Sequence, residues 1–112
     1  MKGVRRMLLS IYISMLDTEQ ERQKMTDLYE EHKYALLNYA MTILRNQDMA
    51  EDAVHNAFIS IIEKKEKYLN LDCMDFRRSV VIIVRNKCID ILRRQKPYDI
   101  KSVEELEIFL ES

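Results

Sequence analysis

Glycine and proline each occur once in these 112 residues. Strand-rich folds turn often and draw on both, so their scarcity sets aside a β-rich architecture and points to a few long helices. Cysteine is equally thin. Cys73 and Cys88 stand alone, without a CxxC pair or a histidine at ligand spacing. That excludes a disulfide framework and leaves two reduced thiols acting as small apolar residues. The two histidines, His32 and His55, belong to no Glu-x-x-His pair, so a carboxylate-bridged metal bundle is set aside and His32 reads as a polar residue on a helix face. No nucleophile–base pairing, cofactor or metal is expected, and no run reaches the length of a membrane span. The formal net charge of −1 gives by itself no reason to propose a nucleic-acid partner.

What is present is a chain 47% apolar and 33% charged, enough for one compact domain with a real core and a solvated surface. There is no internal repeat and no low-complexity segment. Residues 1–16 read as an apolar arm. Lys2, Arg5 and Arg6 precede the stretch from Met7 to Leu16, which resembles a signal peptide in outline. No small-x-small cleavage site follows, so the expectation is an arm packed on the domain, with Met7 a second candidate start.

Residues 17–96 carry the domain. A long helix is expected from a cap at Asp17 or Thr18 to about Arg45, with Met25, Leu28, Tyr29, Leu36, Tyr39, Ala40, Ile43 and Leu44 on one stripe. Asn46-Gln47 breaks it. The next helix opens on Asp48 as cap with Glu51 three residues on. It continues through Ala50, Ala53, Val54, Ala57, Phe58, Ile61 and Ile62, whose small members admit a close neighbour. After a loop at Tyr68–Leu71, with Asp72 or Asp75 as cap, a third helix spans roughly Phe76 to Lys96 and stops before Pro97. Its centre, Val80 to Val84, favours strand by propensity. No partner strand exists, so it reads as a helix surrounded by others. Residues 97–112 read as a linker with a short acidic helix over Ser102–Leu110. The fold class is all-α, a compact three- to four-helix bundle.

Charge is segregated. From Phe76 to Lys96 stand Arg77, Arg78, Arg85, Lys87, Arg93, Arg94 and Lys96 against the single acid Asp90, whereas Asp48, Glu51 and Asp52 cluster at the second helix start. A basic helix suits phosphate; it equally suits a solvated face with a favourable C-terminal dipole. Helical spacing places Ser79, Ile83, Asn86, Asp90, Arg93 and Arg94 on one side, and Val80, Val84, Cys88 and Ile91 on the other.

Three segments then carry a resemblance. Asp48-x-Ala50-Glu51-Asp52-Ala53-Val54-His55-x-Ala57-Phe58 resembles the AEDxxQxxF signature in region 2 of sigma-70 family factors. Phe76-Arg77, Ile83-Val84-Arg85-Asn86, Asp90 and Leu92-Arg93-Arg94 are similar to that family's FRxWLxxIARNxxxDxLRR helix, and Leu28 to Tyr34 matches its LYxxYxxxL opening. The nearest group looks like the small extracytoplasmic-function type. The resemblance implies a non-enzymatic, cytoplasmic transcription initiation domain. Asp48, Glu51, Asp52, His55, Asn56 and Ile59 would bind the beta-prime clamp helices of core RNA polymerase. Tyr68, Asn70 and Leu71 would receive an extruded base of the −10 promoter element, non-template strand. Arg85, Asn86, Asp90, Arg93 and Arg94 would serve the adjacent DNA and the helix interior. An anti-sigma factor is a further implied partner, and no membrane is. Two departures stand out: His55 replaces the usual Gln, and Asn56 the following Glu. No −35-binding domain follows Pro97 in this sequence, which reads as a chain trimmed to its first domain in preference to a natural one-domain relative. The alternative is a degenerate sigma-like protein-interaction module without specific DNA binding.

Overall fold

The computed structural model describes residues 2–95, with side chains from residue 7 onward. Five helices follow one another: α1 (Lys2–Ser14), α2 (Glu19–Leu44), α3 (Gln47–Glu63), α4 (Lys65–Tyr68) and α5 (Cys73–Gln95). No strand occurs among the described residues, so the all-α reading holds. The expected helix over Ser102–Leu110 and Lys96 lie outside the described residues.

The apolar arm is a helix. Leu9 and Leu16 are buried, and Tyr12 and Ile13 pack partly against the core. The last turn tightens as the Leu16 amide donates to the Ile13 carbonyl at 3.1 Å. Arg22 Nη1 then donates to the Leu16 carbonyl at 2.7 Å, fixing the corner into α2.

Thr18, one of the two expected caps, starts α2. Its hydroxyl accepts from the Glu21 amide at 3.1 Å, and Glu21 Oε1 accepts from the Thr18 amide at 3.3 Å, a reciprocal capping box. Met25, Leu36, Ala40, Ile43 and Leu44 of the expected stripe are buried, with Leu28, Tyr29 and Tyr39 half-buried beside them. The helix ends where Arg45 adopts φ 54°, a left-handed C-cap.

The cap of α3 is Asn46, not Asp48. Asn46 Oδ1 accepts from the Met49 amide at 3.0 Å, which places Asp48 inside the first turn, where it still faces the positive end of the helix dipole. Every member of the expected stripe from Ala50 to Ile62 is buried. Ala50, Ala53 and Ala57 present no bulk, so α1, α2 and α5 all pack against this one helix. Tyr29 meets Phe58 edge-to-face at 5.1 Å between centroids, deep in that packing.

The charged run after α3 forms the single turn α4, and Tyr68 and Leu69 close over the core. Two lysines, one in the turn and one in α2, tie this turn to the start of α2. Lys65 pairs with Asp17 and, at 3.1 Å, with Glu21, while Lys24 donates to the Leu69 carbonyl. Helix α5 starts at Cys73, earlier than expected, because Asp72 Oδ1 accepts from the Asp75 amide at 2.8 Å. Phe76, Val80, Val84 and Cys88 point inward against α3 and α2. The expectation that α5 is enclosed on all sides fails: Ile82 is 47% exposed, so the apolar centre is a one-sided face with an outward-facing isoleucine. Cys73 departs likewise, being exposed where Cys88 is buried.

Candidate functional site

Helix α3 carries Asp48, Glu51, Asp52 and Glu63 and neither Lys nor Arg, whereas α5 carries six basic residues against Asp75 and Asp90. The two rods pack side by side. Opposite charge on adjacent helices is therefore a property of the folded surface as well as of the sequence.

The residues expected on the α3 face divide into two groups. Asp48 is exposed, and Asp52, Asn56 and Ile59 are half-buried. At successive steps of three or four residues they form one outward stripe. Asn56 Nδ2 donates to Asp52 Oδ2 at 3.4 Å, which orients both. Beside the stripe, Ile91, Arg94 and Gln95 of α5 join Asp48, Met49 and Asp52 around a cleft of about 320 Å³. Acids flanking an apolar residue suit a protein partner that brings a cation and an apolar side chain.

Glu51 and His55 turn the other way. Both line a groove of about 680 Å³ between α1, α2 and α3, with Ile13, Tyr29, Lys33 and Tyr34 among its other walls. Gln47 Nε2 donates to Glu51 Oε1 at 3.2 Å. His55 is only 6% exposed, so it departs from the expectation of an outward contact. Its Nε2 shares a hydrogen bond of 2.8 Å with the Tyr29 hydroxyl, and the two rings stack at 5.8 Å. Burial of an imidazole costs free energy unless such a partner is present. Across the groove Lys33 pairs with Glu30 at 2.7 Å and lies 5.2 Å from the Tyr34 ring centroid. The Glu30 carboxylate raises the Lys33 ammonium above its ordinary value.

On α5, Asn86, Asp90, Arg93 and Arg94 are exposed and Arg85 is half-buried. Arg94, at the edge of the side expected to carry Asn86, also lines the cleft beside Asp48 and Asp52. Ile83 is half-buried against the core, and the outward line through Asn86 runs instead through Ile82, Arg78 and Met74, each four residues apart. These three were missed. Counting back from Asn86 in steps of four is the signal that finds them. In the loop before α5, Asn70 is exposed, its Nδ2 donating to the Glu66 carbonyl at 3.2 Å, and Leu71 is half-buried. Tyr68 departs from the expectation: at 9% exposure its ring belongs to the core and is not offered to a ligand.

Among the described residues no group of three or more His, Cys, Asp or Glu side chains gathers at metal-binding distance. Among them, too, no helix is long and apolar enough to cross a membrane. The arrangement offers hydrogen bonds, charge and apolar contact, the chemistry of recognition.

A family model described as sigma-70 region 2 matches residues 28–98, from the middle of α2 past the end of α5. No curated protein and no solved structure matches the chain.

Proposed function

Because the chain belongs to the sigma-70 region 2 family, we propose that it acts in transcription initiation by holding core RNA polymerase with α3 and −10 promoter DNA with α5. The observation that supports this most is the contrast between the two surfaces: acids with Ile59 on α3, Arg and Asn on α5. Asp48, Asp52, Asn56 and Ile59 form the docking stripe for the beta-prime clamp helices. Glu51 contributes from the groove side, and His55 supports the stripe from beneath through Tyr29. Arg78, Ile82, Asn86 and Arg93 line the DNA-facing side, with Asn70 at its upstream end.

Strand capture on such a surface needs base stacking and phosphate neutralisation, not bond-making, so the domain works by binding alone, in the cytoplasm with polymerase. An apolar side chain such as Ile82, set between Arg78 and Asn86, offers an unstacked base a surface while its neighbours hold phosphate and base edge. An anti-sigma factor would compete for the same α3 stripe.

The deciding experiment replaces Asp48 and Asp52 together by Lys and measures co-purification with a beta-prime clamp-helix fragment. Loss of the complex, with the helical circular dichroism of the chain unchanged, is expected. A complex that survives removes α3 from the polymerase-facing role. The second reading, a protein-interaction module without specific DNA binding, draws on the burial of Tyr68, which takes one aromatic away from base capture. It is chosen if clamp binding persists in the parent chain while single-stranded −10-like DNA does not bind.

A further inference from the structure

The outward line of α5 alternates apolar and polar side chains. Met74 is 65% and Ile82 47% exposed, and the exposed Arg78 and Asn86 complete the line at steps of four residues. Single apolar residues on a surface need no explanation. These two differ because each stands one turn from Arg78, on a helix with six basic residues against two acids. A partner that fits the line is anionic and offers separate apolar surfaces with charge between them. A protein helix brings its apolar side chains every three or four residues, as one continuous ridge. Single-stranded nucleic acid has the required form, a chain of phosphates carrying flat bases one by one.

The spacing sets a register. Met74 and Ile82 lie eight residues apart, about 12 Å along the helix axis, with Arg78 midway. Bases stacked in one strand of a duplex repeat every 3.4 Å or so, and an unstacked strand stretches to roughly twice that. Two nucleotide steps of an unstacked strand therefore match the distance between the two apolar side chains. We propose that Met74 and Ile82 each receive the face of one base, two nucleotides apart in an unstacked strand, while Arg78 holds a phosphate between them and the middle base is skipped. The inference rests on the DNA-facing role of α5.

Neither Met74 nor Ile82 offers a strong hydrogen bond, so both contacts accept any base. Base identity is read next along the line, by the amide of Asn86. Asp75, exposed beside Met74, repels phosphate and so favours a base over the strand backbone at that end.

The test measures binding of the full 112-residue chain to three thymidine strands of equal length and phosphate count. One strand carries a base at every position, one at every second position and one at every third, the other sugars being abasic. The first two strands should bind alike. The third can fill only one contact at a time and should bind about fivefold more weakly, the low end of a base-stacking contact. Met74→Ala should weaken binding of the first two strands about fivefold and leave the third unchanged, with the helical circular dichroism of the parent retained. Salt dependence should be the same throughout, because every strand keeps its phosphates. Equal affinity for all three strands, or an equal loss for Met74→Ala on all three, overturns the register and leaves α5 a DNA-facing helix. So does a loss that already appears with bases at every second position. A parent chain that binds none of the strands overturns the DNA-facing role itself, and this inference with it.

Discussion

The Tyr29 hydroxyl lies 2.8 Å from His55 Nε2 and joins the middle of α2 to the middle of α3. This bond satisfies a polar atom of a ring that is 6% exposed. Tyr29→Phe keeps the ring stacking and removes the hydroxyl. The variant is expected to be less stable by about 1–3 kcal/mol, the cost of leaving a buried group without that partner. Urea unfolding checks it: the midpoint should fall and the m-value should stay.

Arg45 holds a left-handed backbone at φ 54°. A side chain with a Cβ is disfavoured there by roughly 1 kcal/mol relative to glycine. Arg45→Gly is therefore expected to raise the unfolding midpoint, and Arg45→Val to lower it. A midpoint that falls with glycine would show that the arginine side chain contributes more than the backbone conformation costs.

Lys65 links α4 to the start of α2 and gives the fold a pH signature. Its hydrogen bond to Asp17, and next to Glu21, raises the ammonium above its ordinary value, while the hydrogen bond from Lys65 holds the Asp17 carboxyl below the usual carboxylate range. Stability from the lowered carboxyl is present above the ordinary carboxylate value and fades as pH falls through the depressed one. Stability from the raised ammonium is present below the ordinary lysine value and is lost as pH rises through the higher one. The stability gap between the parent and Lys65→Met should thus be widest between about pH 5 and about pH 9 and narrow on both sides. A gap that ignores pH would mean that Lys65 acts through its aliphatic stem.

For the DNA-facing role of α5, Arg93→Ala with Arg94→Ala should weaken binding to single-stranded −10-like DNA. The dependence of log affinity on log salt should flatten by about 1.4 if each arginine neutralises one phosphate. Arg94 leans toward the α3 acids, so a flattening of half that size would assign the phosphate contact to Arg93 alone.

Local pattern made most of the bundle readable. The stripe from Ala50 to Ile62 and the inward line Phe76, Val80, Val84 and Cys88 follow from spacing, because a helix packed on one side repeats its apolar residues every three or four positions. The misses have a shared cause. Tyr68 and His55 are buried by partners remote in sequence: Lys24 and Lys65 draw the α4 turn onto the start of α2, and Tyr29 reaches His55 across 26 positions. No local window contains those pairs. The α3 cap was missed for a different reason. Asn46 and Asp48 are both good caps two residues apart, and Glu51 stands where a capping-box acid would for Asp48. The outward line on α5 was misplaced by one residue, since Ile82 and Ile83 are alike in chemistry and only the packing of Ile83 against the core separates them.

With three long neighbours leaning on its alanine seam, α3 is the axle of the assembly. An axle cannot loosen while the wheels stay true, so its amides should be the last to trade hydrogen for deuterium, opening only when the whole chain unfolds. Any ligand gripping α3 would then pull on every other helix at once, and the domain would answer such a load as one stiff body.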